Sequence, residues 1–320
     1  MGSDGILFTS GEVPCPACQH GPMTTEPQAA ANDEERVTPG RYNLIGDLAV
    51  TTLLVAKERA FVMAPLTKAI SSRFGGASLG AVSMLVDLGT SGPALASMQD
   101  WTATQDLSIY GAGPLTEGPI VVDNHLVRMG KKVIVASAEV YDAHGFDDIK
   151  GLEAALASKN CGGLSLAAKC LVTFARLSRS AAVDVDGYDP SQWIGDVRGH
   201  GEVSRGEEGI LERMGLRSVD ASTGVTELEL SPYVANSIGT INGGAQAMMV
   251  EAAAEMLCPG LRATDIQLHY LAQVRGGPAR TTGHLLRREV GHAVVNVEIH
   301  DAGNADRLLA SATVTLVEAS

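Results

Sequence analysis

The stretch SIGTINGGAQAMMVEAAAE, Ser237 to Glu255, places a glycine pair, Gly243-Gly244, just before an apolar, alanine-rich run that carries Glu251 and Glu255. Glycine pairs punctuate turns. Ala, Met and Glu are strong helix formers, so the stretch reads as a turn that opens a helix. The run is apolar nearly all round, and a helix of that kind must be covered on all sides. An acid inside it needs a reason to be there.

The same pattern occurs once more upstream. RFGGASLGAVSMLVDLG (73–89) faces SIGTINGGAQAMMVEAA (237–253) at an offset of 164. Further along, GPIVVDNHLVRMGKKVIVASAEVYDAHG (118–145) faces GPARTTGHLLRREVGHAVVNVEIHDAGN (277–304) at an offset of 159. That alignment pairs Gly118-Pro119 with Gly277-Pro278, His125 with His284, Glu139 with Glu298, and Asp142-Ala143 with Asp301-Ala302. Tyr110 faces Tyr270 at an offset of 160, and AKCLVTF (168–174) faces ASATVTL (310–316). Fixed-offset similarity of this kind marks a structural repeat. The shifting offsets place length differences in loops, the largest being an inserted helical segment from Asp147 to Gly163 in the first half.

Each half therefore reads as one long apolar helix after a Gly-rich turn, followed by strands with β-branched alternation. In the first half these are VVDNHLVR, KVIVASAEVYD and CLVTFARL, and in the second HAVVNVEIHD and ATVTLVE. This predicts an α+β chain, each half an antiparallel sheet wrapped around one central helix. The expected organisation is a disordered tail over 1–40, a first domain over 41–178, a Gly/Ser/Asp-rich linker over 179–209 and a second domain over 210–320. A short lead-in helix is expected in ILERMGLRSV (210–219).

Composition sets outer limits. A formal net charge of −13 argues against a nucleic-acid groove or an anionic membrane surface as partner. No apolar run is expected to approach the ~18 residues of a membrane span, and no signal pattern opens the chain, which points to the cytoplasm. Five scattered cysteines argue against a disulfide framework. Cys15-Pro-Ala-Cys18 with His20 is half of a zinc site and lacks a second half, so no metal is expected. Met23 stands as an alternative start.

The arrangement resembles the hotdog fold, and its motifs look like the PaaI-type acyl-CoA thioesterases, here as a tandem double hotdog over roughly 42–178 and 210–318. The family motif is His-Gly-Gly at the turn with an Asp or Glu nine residues after the His. Here Asn242-Gly243-Gly244 holds the turn with Glu251 nine residues after Asn242, and Ser78-Leu79-Gly80 holds the other with Asp87 nine residues after Ser78. The spacing is kept twice and the His is absent twice. The resemblance implies that the acid of one half faces the turn of the other. One composite site then joins Asp87 to Asn242, Gly243 and Gly244; the second joins Glu251 to Ser78 and Gly80.

A thioester hydrolase needs a carboxylate that activates water or attacks the carbonyl, and donors for the oxyanion that develops. Unpaired amides at a helix N-terminus supply such donors, and glycine lets a substrate approach them. Family members often carry Asn or Gln six residues before the His position and Ser or Thr four after the acid. Asn236 and Ser91 match these in the first site, which is the expected working one. The second offers Ser72 and Ser78, with Glu255 where the hydroxyl belongs, and is expected to be degenerate. His125 and His284 read as structural or surface residues, and Glu255 as an exposed face or a like-charge neighbour of Glu251 four residues on. Arg128, Lys131, Lys132, Arg287 and Arg288 sit at strand ends and turns, where they either grip the phosphates of coenzyme A or are solvated hairpin charges. Coenzyme A would enter as part of the substrate, with no separate cofactor. The expected function is an acyl-CoA thioesterase, either a monomer that mimics a hotdog dimer or a dimer of double hotdogs. A non-catalytic acyl-CoA-binding protein is the alternative. A hotdog enoyl-CoA hydratase is disfavoured by the absence of a Gly-Asp-x-Asn-Pro-x-His string.

Overall fold

A computed structural model describes residues 37–319, apart from 41, 183–184, 186 and 202–207. Cys15, Cys18, His20, Met23 and most of the stretch expected as a tail lie outside the described residues. The first half contains α1 (Leu44–Asp47), β1 (Val50–Ala56), β2 (Arg59–Ala64), α2 (Leu79–Ala96), β3 (Trp101–Gly111), β4 (Ile120–Met129), β5 (Val133–Asp142), α3 (Leu152–Ala157) and β6 (Ser165–Leu177). Next come β7 (Val197–His200), α4 (Ile210–Met214), β8 (Arg217–Asp220), β9 (Val225–Leu228) and α5 (Gly243–Leu257). The chain closes with β10 (Leu261–Tyr270), β11 (Ala279–Glu289), β12 (His292–Asp301) and β13 (Arg307–Glu318).

Alternation on the strands explains the layers. Along β13, Ala310, Ala312, Val314 and Leu316 are buried while the residues between them are not, so one face of the strand turns inward. The inward faces cover α2 and α5, which supply much of the core. The strands pair antiparallel in the order β7-β1-β2-β4-β5-β6-β3-β10-β13-β12-β11-β9-β8. Outward from the β3–β10 seam this order repeats: β6-β5-β4-β2-β1 on one side matches β13-β12-β11-β9-β8 on the other. The seam pairs Leu107 with Leu268 and Ile109 with Ile266.

The repeated residues do the same work in both halves. Gly118-Pro119 and Gly277-Pro278 are both cis. Asp142 accepts the amides of Thr116, Glu117 and Gly118 at 2.7, 2.9 and 2.7 Å. Asp301 accepts those of Arg275, Gly276 and Gly277 at 2.6, 3.1 and 2.6 Å. One match needs correction. The bulge between Thr104 and Asp106 in β3 corresponds to that between Ala263 and Asp265 in β10, which fixes the offset there at 159 rather than 160. Tyr110 therefore corresponds to His269, and Tyr270 to Gly111.

The two long helices touch through glycine. A Cβ on Gly80 would lie 2.6 Å from Met248 Cα, and one on Gly244 would lie 2.5 Å from Met84 Cβ. Gly80 and Gly244, like Met84 and Met248, are repeat partners, so the contact is reciprocal. Backbone atoms cannot swing away, so Gly80→Ala overpacks the crossing. It is expected to cost about 1–3 kcal/mol and lower Tm by roughly 2–12 °C in a thermal melt. An unchanged Tm would mean the helices can separate at no cost.

Four further expectations meet the structure. The apolar run of α2 is 18 residues, long and apolar enough to cross a membrane, contrary to the reading that no such run exists; 72% of it is buried in the protein. The insert after β5 contributes Ile149, Leu152 and Leu164, which cover outward-facing Phe61, Met63, Val121 and Tyr141. Among the described residues the second half has no such cover, and the positions matching Val121 and Tyr141 are Arg280 and His300. The stretch expected as a linker is structured where described: β7 pairs with β1. Tyr188 stacks edge-on between Trp101 and Trp193 at 5.6 and 5.2 Å. The expected lead-in helix ends at Met214, because Gly215 turns left-handed and a strand follows.

Candidate functional site

Both helices begin with a side-chain cap. Ser78 Oγ accepts the amide of Ala81 at 3.3 Å at the start of α2. Asn242 Oδ1 accepts that of Gly244 at 2.8 Å at the start of α5. Such caps are what Ser and Asn supply at this position. Because the helices cross at Gly80 and Gly244, each N-terminus meets the middle of the other helix.

Around the Asn242 turn, a Cβ on Gly243 would lie 3.1 Å from Asp87 Oδ2 and 3.1 Å from Tyr270 Oη. Gly243 is thus closely bordered by a carboxylate from one half and a phenol from the other, and only the missing side chain leaves a narrow gap between them at the helix terminus. The Gly243 amide donates to no acceptor among the described residues. Thr104 donates to Asp87 Oδ1 at 2.7 Å and orients the carboxylate. Burial raises the Asp87 pKa to about 6, against the lowering effect of the Thr104 bond. The group keeps some exposure while Val86 and Gly89 near it are buried, which fits a carboxylate at the floor of a cleft. At neutral pH it is ionised, and its pKa lies near that pH, as a general base requires.

The turn at Ser78 has the same parts in a different state. Glu251 Oε1 accepts the Leu79 amide at 2.8 Å; Oε2 accepts the Gly80 amide at 2.9 Å and the Ser78 hydroxyl at 2.5 Å. The helix terminus that would face a substrate already holds a carboxylate. Glu is one methylene longer than the Asp at the matching position, and Leu79 stands where the other turn has Gly243. Glu255, expected on an exposed face, is instead buried. It pairs with Arg73 at 3.3 Å and accepts the Ala263 amide at 3.2 Å. Burial and then the charge of Glu251 push its pKa to about 7. Burial also raises Glu251, against its three donors.

The remaining candidates fall into several places. Ser91 Oγ donates to Leu88 O in its own helix at 2.8 Å, and Thr104 supplies the hydroxyl that reaches Asp87. Asn236 Oδ1 accepts the amides of Ile238 and Thr240 and shapes the 236–240 turn. Ser72 accepts the amide of Phe74 at 3.0 Å. His125 lies 3.0 Å from Asp123, which also binds Arg59 through two bonds. His284 is exposed in β11. Arg128, Lys131, Lys132 and Arg288 are exposed, and Arg287 pairs with Glu289. No group of three or more His, Cys, Asp or Glu among the described residues is placed to hold a metal. Thr104 and Tyr270 are the contacts that sequence reasoning missed. Both lie on strands that cross the two helices, and motif spacing along one helix cannot reveal them.

Comparison with solved structures identifies the fold. A protein from Lactobacillus plantarum, provisionally described as an oleoyl thioesterase, matches over 86% of this chain and 98% of its own, at 12% identity and a TM-score of 0.53. The 12:0-ACP thioesterase of Umbellularia californica matches over 81% and 94%, at 10% identity and a TM-score of 0.51. A hotdog-fold protein of unknown function from Alicyclobacillus acidocaldarius matches over 86% and 97%, at 11% identity and a TM-score of 0.50. The chain has the hotdog fold. Neither protein-family models nor curated proteins give a match. At these identities the likeness is one of fold, and the chemistry must come from the residues.

Proposed function

We propose that the chain is a tandem double-hotdog thioester hydrolase of the PaaI-like kind, acting on acyl-CoA at one composite site. The observation that carries the reading is the Asp87 carboxylate of one half lying close to the Gly243 terminus of the other half's helix, whose amide is unpaired among the described residues. The repeat of strand order about the β3–β10 seam supports the tandem arrangement. The domain boundaries at 41–178 and 210–320, with coenzyme A carried by the substrate, belong to the same reading.

In the proposed reaction, water attacks the thioester carbonyl carbon and gives a proton to Asp87. The carbonyl electron pair moves onto oxygen, where the Gly243 amide and the positive end of α5 receive the charge. The pair then returns as the C–S bond breaks, and Asp87 gives the proton to the leaving sulfur. A carboxylic acid and a thiol result. Arg128 and Lys131 border the β4–β5 hairpin, whose Gly130 carbonyl is tied by Arg176 to Asp100, next to Trp101 and its 3.1 Å bond to Ser237. This chain of contacts supports reading them as the residues that meet coenzyme A phosphates. Arg287 and Arg288 sit at the β11–β12 hairpin of the other half.

The test is hydrolysis of short, long and aromatic acyl-CoAs followed with a thiol dye. Turnover of any of them is the expected result. No turnover, with coenzyme A still bound in a titration, would move the reading to a binding protein.

A further inference from the structure

We infer that Tyr270 is a catalytic hydrogen-bond donor to the substrate carbonyl oxygen, acting opposite Asp87; this rests on the thioester reading above. Tyr270 closes β10 and shares a strand face with Ile266 and Leu268, which are buried against the helices. That face carries its ring inward to the start of α5. Its hydroxyl donates to Gly243 O at 2.8 Å. The Tyr270 hydroxyl oxygen also lies 3.1 Å from where a Gly243 Cβ would stand, the same distance as Asp87 Oδ2, so phenol and carboxylate flank the glycine together.

Three features suit this hydroxyl to the role. Burial, and then the charge of Asp87, hold the phenol well above its ordinary pKa, so it keeps its proton and donates. A carbonyl in the first turn of an α-helix also accepts the amide four residues on, so the hydroxyl can rotate toward a substrate without stranding Gly243 O. The position is also unique to the working turn. The register of β3 and β10 places Gly111 at the matching site of the first half, so the filled turn has no phenol. Where the family motif would place His, Asn242 has its oxygen committed to the Gly244 amide. Tyr270 supplies, from a different strand, a hydroxyl donor beside the Gly243 amide.

In the step, the electron pair driven onto the carbonyl oxygen by water attack is met by the Tyr270 O–H and the Gly243 N–H. Neither proton is transferred; Asp87 carries the one that moves from water to the leaving sulfur.

The test measures kcat and KM for wild type, Tyr270→Phe, Asp87→Asn and a protein with 3-fluorotyrosine at position 270. Tyr270→Phe is expected to lower kcat on the order of 10²-fold, with KM little changed and the acid limb of kcat still near 6, because Asp87 remains the base. The 3-fluorotyrosine form keeps the hydroxyl and any bracing of Gly243 but donates more strongly, so its kcat is expected to hold or rise. An unchanged kcat in Tyr270→Phe overturns the proposal and leaves Asp87 as the base. A raised KM alone does the same, making Tyr270 a wall of the pocket. A fall in the 3-fluorotyrosine form also overturns it. If Asp87→Asn too keeps full rate, the composite-site reading has failed, and the role of Tyr270 fails with it.

Discussion

Asp87→Asn is expected to abolish the proposed hydrolysis while keeping the shape of the site. Loss of a positioned base costs about 10²–10⁴ in rate. The amide still accepts the Thr104 bond through its oxygen, so its placement survives. The wild-type rate should rise with pH along a limb near 6, as Asp87 loses its proton, and this limb should vanish with the substitution. Stability moves the other way. Burial raises the native pKa above the ordinary carboxyl value of 3.8 to about 6. Between those values the unfolded chain gives up its proton first, so the native state binds more protons and stability falls as pH rises. Above that window the full penalty of the buried charge remains. Asp87→Asn should therefore stabilise the protein at pH 8, by about 1–3 kcal/mol, and change little at pH 4. Rate–pH profiles and melts at the two pH values check both halves of this result. A variant that loses activity and stability together would be merely misfolded.

The sequence shows the repeat and its consequences more clearly than the sheet. Two Gly-turn-to-helix stretches, an acid nine residues into each, and a Gly-Pro…Asp framework at constant offset are all visible as residue identities. They lead to two central helices whose acids reach each other's turns. β1 and β2, and the seam strands β3 and β10, are harder to read. In β3 and β10 polar residues sit on both faces and a bulge breaks the alternation, so WTATQDLSIYG and LRATDIQLHY do not announce themselves as strands. The one-residue error that aligned Tyr110 with Tyr270 has the same source, because a bulge shifts the face without marking the sequence. The glycine pair misleads in one respect. Gly244 lacks a side chain because Met84 lies against it, and only Gly243 faces Asp87 and Tyr270. Helix spacing put Ser91 near Asp87, but its hydroxyl turns back to Leu88 O, as Ser often does within helices. The hydroxyl that orients Asp87 comes from Thr104, a contact set by folding rather than by spacing.

Asp87→Glu should be nearly as damaging as Asp87→Asn, although it keeps a carboxylate. Glu251 shows what the longer side chain does at this position. It spans from one helix to the other's first turn, where the Leu79 and Gly80 amides and the Ser78 hydroxyl hold it. Asp87 occupies the matching place and stops short of the Gly243 amide, which stays unpaired. One added methylene extends the reach by about 1.5 Å and would fill the narrow gap where the proposed reaction brings water and the thioester carbonyl together. The new carboxylate would take the Gly243 amide at the positive end of α5. A charge-assisted bond of this kind contributes about 1.5–3 kcal/mol, so the variant should melt higher than wild type at pH 7. Its kcat should fall at least ~10²-fold, since it loses both the gap and the free base. The two substitutions at Asp87 separate two causes. Asn removes the proton acceptor and leaves the space, while Glu keeps the acceptor and removes the space. If Glu at this position supports near-normal turnover, side-chain reach does not decide which turn works, and the silence of the Ser78 turn must be assigned to Leu79 instead. If it inactivates and stabilises together, the difference between the working turn and the filled one comes down to the length of one acidic side chain.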